Sequence, residues 1–250
     1  MRVDFCIPIK NEARVLETNL SKLLAYLEAL NAEYDWKIIG ALNGSDDGSL
    51  AILQKFKVNF PGKIDYLEIA EPGKGRAIKI CWSKSAAEVL AFMDADLAVS
   101  LEGVKQLISP ILGGQADLVI GSRFIAGAYA ERSWRRGLLS KSYALFSRVA
   151  LGHHQSDLQC GFKAVSRRQY QKIVNFLNDD LWFLDTELVV VADLANLRIK
   201  EIPVVWRENR YGKNKSNIHI LQDGWAFVLK ILRLRRRISK IKKYFDNAQA

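Results

Sequence analysis

The stretch Ala91 to Ser100, AFMDADLAVS, decides how this chain is read. A short apolar run, Val89 to Met93, stops on two carboxylates one residue apart, Asp94 and Asp96. In an open parallel sheet, ligands collect where the carboxyl ends of the strands meet their loops, so acids that end a buried strand face a crevice. Two hard oxygen ligands there suit Mg²⁺ or Mn²⁺, and such a metal keeps part of its shell for substrate phosphates. An Asp-x-Asp after a strand also serves as a plain turn or helix cap. The neighbouring segments have to choose between the two.

On the amino-terminal side, Arg2 to Ile9 reads as a buried strand followed by Asn11-Glu12. Val15, Leu16, Leu20, Leu23, Leu24, Leu27 and Leu30 then recur at helical spacing. A second unit has a strand over Lys37 to Leu42, the turn NGSDDG (43–48) and a helix from Ser49 to about Phe56. A third has a strand over Ile64 to Ile69, the turn EPGKGR (71–76) and a helix from Ala77 to about Ala87. Val89 to Met93 is the fourth strand. Alternating strands and helices predict an α/β fold, a doubly wound and mostly parallel sheet with helices on both faces. Beyond the pair of acids, the pattern predicts a strand over Ala116 to Gly121, a helix over Trp134 to Leu151 and a turn-and-strand segment at DLQCGFK (157–163). A helix over Asp185 to Asn196 and a strand over Arg198 to Trp206 complete it.

The 250 residues carry a net charge of +10, and the basic excess is concentrated. Lys230 to Lys243 holds eight basic residues and no acid. Apolar residues from Leu221 to Phe245 form helical stripes among them, so residues 218–250 read as a basic amphipathic tail beyond a body of 1–217. Such a helix lies in a membrane interface, where anionic headgroups attract Lys and Arg, or packs its stripe on the body. Three cysteines far apart argue against a disulfide framework and fit a reducing compartment. The amino terminus lacks the apolar core of a signal peptide, and no run reaches the 18 or so apolar residues of a spanning helix. The expected location is cytoplasmic, peripheral on the inner membrane face. Nucleic acid is not expected as a partner: the positive charge sits on an apolar helix, and no RNA- or DNA-binding pattern occurs.

The Gly-rich turns do not form a dinucleotide or Walker fingerprint. What remains is four strand-end loops in order: Pro8 to Glu12, Asn43 to Asp47, Gly73 to Arg76, and Asp94 to Asp96. Together they offer groups for a base and ribose, a ring, a pyrophosphate and a metal.

The ordered set PIKNE, NGSDDGS, GKGRA, MDADL, IGSRF, DLQCGFK, FLDTEL and IKEIPVVW resembles the family-two inverting glycosyltransferases of GT-A fold, in particular the dolichyl- and polyprenyl-phosphate mannosyl- or glucosyltransferases. The likeness runs over about residues 1 to 217. It implies a GDP- or UDP-linked sugar donor, a metal on Asp94 and Asp96, and a nucleotide pocket lined by Pro8, Asn11, Glu12, Asn43, Gly44, Lys74 and Gly75, with Asp94 beside them. Two positions depart from the family pattern. Asn43 stands where many members have Asp, and Ala98 where the mannosyltransferases often have Gln.

A lipid-monophosphate acceptor is largely dianionic at neutral pH and needs cations more than a base. Arg123 is the first candidate to bind it, with Arg132, Arg135 and Arg136 as helpers or as a solvated helix face. Asp185 and Glu187 are expected on the acceptor side, as orienting groups, as a base for a hydroxyl of a glycan or lipid, or as helix N-terminal acids. Asp157, Gln159 and Lys163 shape the same cleft. Arg207, Lys213 and Lys215 lie in a Gly-containing segment that resembles the family's loop over the diphosphate or serves as a plain mobile basic loop. A membrane protein partner also fits a chain without its own spanning helix.

Overall fold

The computed structural model describes residues 1–30, 34–131, 134–207 and 220–249. In chain order it contains β1 (Arg2–Ile9), α1 (Ala13–Ala29), β2 (Asp35–Asn43), α2 (Ser49–Asn59), β3 (Ile64–Ile69), α3 (Lys74–Lys84) and β4 (Val89–Met93). There follow α4 (Val104–Leu112), β5 (Leu118–Ser122), β6 (Tyr129–Glu131), α5 (Trp134–Leu151), β7 (Phe162–Ser166), α6 (Arg167–Ile173) and α7 (Leu184–Leu194). The last elements are β8 (Ile199–Pro203), β9 (Val205–Arg207) and α8 (Ile220–Gln249). The main sheet runs β3-β2-β1-β4-β7-β5-β8, and β6 pairs with β9 in a small second sheet. The expected α/β sheet is present, with one strand reversed: β7 is antiparallel to both β4 and β5. A reversed strand brings its amino end to the ligand edge, so the segment before it, residues 157–161, reaches the crevice.

Helices cover both faces. One core packs α1, α2 and α4 on the sheet, and the α1 positions Leu16, Leu20, Leu23, Leu24 and Leu27 that set its helical spacing are all buried there. The other lies under α3, α6, α7 and α8. Several boundaries shift by a few residues from the sequence pattern, and two of the shifts shape the crevice edge. α3 starts at Lys74, because the Gly73 carbonyl already accepts from Ala77 N at 2.9 Å. The last strand breaks at Val204, whose N–H donates to Ser122 O and whose carbonyl accepts from Tyr129 N, so β9 leaves the main sheet for β6.

α8 is not a detached tail. Ile231, Leu234, Ile241 and Phe245 are buried in the second core, each worth about 1.5–3 kcal/mol of apolar burial. Leu229 and Leu232 stay 49% and 45% exposed on the opposite side, among the basic residues. The later stripe therefore holds the helix to the body. No helix among the described residues is long and apolar enough to cross a membrane.

His153, between α5 and β7, is buried, with Nε2 3.1 Å from Ser147 Oγ. Burial, reinforced by the Arg148 cation, lowers its pKa to about 4. The unfolded chain, with an imidazole pKa near 6.5, binds the proton first, so stability is full above pH 6.5 and falls as pH drops toward about 4. The expected loss is about 3 kcal/mol across that window. Urea unfolding at neutral and at mildly acidic pH checks it, and His153→Gln should flatten the dependence.

Candidate active site

The turn after β4 is fixed from three sides. Asp94 N donates to Gly161 O at 3.2 Å, Asn19 Nδ2 on α1 donates to Ala95 O at 2.8 Å, and Ala98 N donates to Asp96 Oδ1 at 3.1 Å. Leu97 takes a left-handed φ of 47° to make the turn. β9 runs alongside: Ser100 N donates to Val205 O, and Arg207 N to Ala98 O, so the exposed Arg207 starts next to the two acids. The Asp94 carboxylate lies against the backbone of Gly161, where an added Cβ would come within 1.9 Å of Oδ2. Gly161→Ala must push that carboxylate away. We expect it to cut turnover at least about tenfold through misplacement of Asp94. Steady-state rates of the purified variant, with circular dichroism to confirm folding, test this.

Behind the turn lies a buried row of alternating charges. Lys74 Nζ is 2.8 Å from Asp94 Oδ1 and 3.0 Å from Asp185 Oδ2, and Asp185 Oδ1 is hydrogen-bonded to Lys163 Nζ. Lys163 also donates to Cys160 O at 2.6 Å. The Lys163 side chain is fully buried, and those of Asp185 and Lys74 are 3% and 8% exposed. Burial alone would pull the Lys74 pKa down, but Asp185 and Asp94 outweigh it and hold the ammonium charged, above the ordinary lysine value. The Phe92 and Trp182 rings flank the same ammonium at 5.2 and 5.0 Å.

The first two loops are sewn together. Asn11, at φ 56°, donates its N–H to Ser45 Oγ, and its Oδ1 accepts from Asp46 N. Glu12 N donates to Ser49 Oγ, and Ala13 N to Asp47 Oδ2, so α1 is capped from the neighbouring loop. Burial would raise the Asp47 pKa, but hydrogen bonds from Ser49 and Ala13 bring it below the usual carboxylate range. Pro8 is buried in β1, and Gly44, at φ 66°, donates to Ile69 O.

Several expected binding groups prove to hold the scaffold. Asn43 is 3% exposed; its amide nitrogen donates to Ile9 O and Ala41 O, and its Oδ1 accepts from Gly73 N. It staples three strand ends instead of facing a base. Gly75 approaches a carbonyl-rich segment of the chain itself, not an open pocket: an added Cβ would lie 2.7 Å from Leu181 O and 2.9 Å from Asp179 O. Arg123 is clamped on the buried Asp157 through Nε at 2.6 Å and Nη2 at 2.9 Å, which leaves little of its fork for a phosphate. Glu187 accepts from Asn178 N and Asp179 N at 2.6 and 2.7 Å and from Arg237 Nη1 at 2.6 Å, so it ties the 178–182 loop to α8. Asp185 is enclosed by two lysines, which suits a positioning group and not an exposed base. Gln159 donates to Thr186 Oγ1 at 2.5 Å, on the same side of the cleft. The side chains of Arg132, Arg135 and Arg136, and all of Lys213 and Lys215, lie outside the described residues.

Sequence reading missed Asn19, Gly161 and Trp182. Asn19 had a visible signal, a polar residue inside the apolar stripe of α1. Gly161 lies within the DLQCGFK motif but was not singled out, and Trp182 had no signal, because their partners are distant along the chain. Among the described residues no cluster of three acidic, cysteine or histidine side chains forms a ready metal cage. The two hard carboxylates at one strand end match the mode in which Mg²⁺ or Mn²⁺ takes one or two protein oxygens and completes its shell with phosphate and water. The donor set therefore fits such an ion.

Residues 4–174 match glycosyl transferase family 2. Glycosyltransferase AglD of Haloferax volcanii is 28% identical over 233 residues, covering 93% of this chain and 37% of that protein. Dolichyl-phosphate beta-glucosyltransferase ALG5C of Trichomonas vaginalis is 29% identical over 223 residues, covering 86% of this chain and 66% of that protein. The chain thus spans from about a third to two thirds of the length of these relatives. Among solved structures, glucosyl-3-phosphoglycerate synthase from Mycobacterium tuberculosis, in complex with Mn²⁺, UDP and phosphoglyceric acid, superposes with a TM-score of 0.65. It is 17% identical, with 94% of this chain and 78% of that chain covered. The shared architecture is the GT-A fold.

Proposed function

Because the chain belongs to glycosyl transferase family 2, we propose that it moves a hexose, with inversion, from a UDP- or GDP-linked donor to a polyprenyl phosphate. The observation that carries this reading is the Asp94–Asp96 turn at the end of β4, with the buried Lys74 ammonium 2.8 Å from Asp94. Mg²⁺ or Mn²⁺ held by Asp94 and Asp96 would supply Lewis-acid stabilisation of the leaving diphosphate. Asn19 and Gly161 hold the turn in place. Lys74 fixes the Asp94 carboxylate and sets a permanent positive charge behind the departing phosphates. Arg207, exposed on the strand beside the turn, would add a further cation for the same anion. Asn11 and Glu12 border the donor loop.

The acceptor assignment draws on the dolichyl-phosphate relative and on the surroundings of Asp185. A dianionic phosphate attacks without deprotonation, whereas a hydroxyl acceptor needs a base, and Asp185 has both oxygens engaged by lysines. With Arg123 committed to Asp157, the acceptor phosphate falls to Arg132, Arg135 and Arg136. The exposed basic residues of α8 support a peripheral position on the cytoplasmic membrane surface, with or without a membrane protein partner.

The test is transfer of labelled hexose from UDP- and GDP-sugars to a long-chain prenyl phosphate in vesicles. Product should form with Mn²⁺ or Mg²⁺ and disappear with chelator. Full transfer in chelator refutes the metal, and transfer only to hydroxyl acceptors refutes the lipid phosphate.

A further inference from the structure

We propose that Trp182, with Leu181 beside it, is the apolar wall that receives the acceptor's hydrocarbon next to its phosphate. This inference rests on the prenyl-phosphate reading above. Trp182 and Leu181 are 46% and 48% exposed. They sit on a firmly held loop, so the exposure does not come from slackness. Glu187 binds the loop from behind through Asn178 N and Asp179 N. From the front, Arg76 N donates to Asp180 O at 2.9 Å, and the absence of a Cβ at Gly75 permits this approach.

The position of this pair selects the ligand. The Trp182 ring centroid is 5.0 Å from Lys74 Nζ, the ammonium that pairs with Asp94, so the indole borders the crevice where the phosphates meet. The next residue, Phe183, is buried and packs on Phe227 of α8 at 6.0 Å between ring centroids, so the loop that carries the indole is anchored beside the amphipathic helix. A sugar would need side chains with hydrogen bonds to give. The carboxylates of this loop are engaged elsewhere, Asp179 with Lys230 at 2.6 Å and Asp180 with Lys79 at 2.8 Å. The two large apolar side chains the loop exposes are an indole and an isobutyl group, which suit a prenyl chain.

The experiment compares a long-chain prenyl monophosphate with water-soluble butyl monophosphate as acceptors for the full chain and for Trp182→Ala and Trp182→Phe. The ratio of kcat/KM for the two acceptors should fall about tenfold in Trp182→Ala, the scale of one aromatic side chain's apolar burial, and recover in Trp182→Phe. The donor KM should not follow that ratio. An equal loss on both acceptors, or a loss confined to donor KM, overturns the assignment while leaving the transferase reading intact. Failure of the unaltered chain to use either phosphate acceptor, with donor still consumed, overturns the acceptor reading and this inference with it.

Discussion

Asp96→Ala is expected to lower transfer about 10³-fold while leaving the protein folded, since a charge-stabilising group on the leaving diphosphate is worth several kcal/mol in the transition state. Asp96 is half-buried, and one of its contacts closes the turn, Ala98 N to Oδ1 at 3.1 Å. Losing such a bond costs about 1 kcal/mol of stability. The effects on turnover and on stability should therefore separate. Steady-state kinetics, Mn²⁺ titration by isothermal calorimetry and a melting curve measure all three. Retention of more than about a tenth of the activity would remove Asp96 from the leaving-group site.

Asp185→Asn is expected to do the opposite and strike stability first. The carboxylate lies between two buried ammonium groups, and breaking a buried pair by removing one partner costs about 3–5 kcal/mol. Lys163 is left with the Cys160 carbonyl, and Lys74 with Asp94 alone. For a domain of this size the melting temperature should drop by about 10 °C. Activity should fall too, because the charge behind the donor phosphates is no longer held in place. A base for a hydroxyl acceptor behaves differently: its amide variant melts normally and loses turnover. An unchanged melting temperature with lost activity would falsify the positioning role.

Much of the architecture was legible in the linear pattern. The strands at Arg2–Ile9, Ile64–Ile69 and Val89–Met93, and the helix at Trp134–Leu151, have the bounds their residue spacing implies. The donor-side loops also fall at strand ends in the expected order. These features depend on near neighbours, since alternation and helical spacing record which face of each element is buried. The two acids were legible for the same reason: a carboxylate directly after a buried apolar strand has few places to go except the sheet's edge.

Roles assigned residue by residue were less legible. Asn43, Arg123 and Glu187 were the right residues for ligand contacts by type, and each turned inward. The reason is that buried polar groups must be satisfied, and a partner in the chain takes the bond before any ligand arrives. Asn43 serves Gly73, Arg123 serves Asp157, and Glu187 serves the 178–182 loop.

By itself, the sequence determined the α/β alternation, the position of the Asp94–Asp96 turn and the amphipathic character of the last helix, because each is set by residues a few positions apart. Only the tertiary structure decided that β7 runs backward and brings Gly161 against Asp94. It alone joined Lys74, Asp94, Lys163 and Asp185 into one row of charges, buried except at Asp94, and it chose which stripe of α8 faces the body. Those features depend on the order of strands in the sheet, which brings together groups as much as 111 positions apart. In a low-dielectric interior, unlike charges must be placed in contact or neutralised, and that pairing is a property of the assembled sheet.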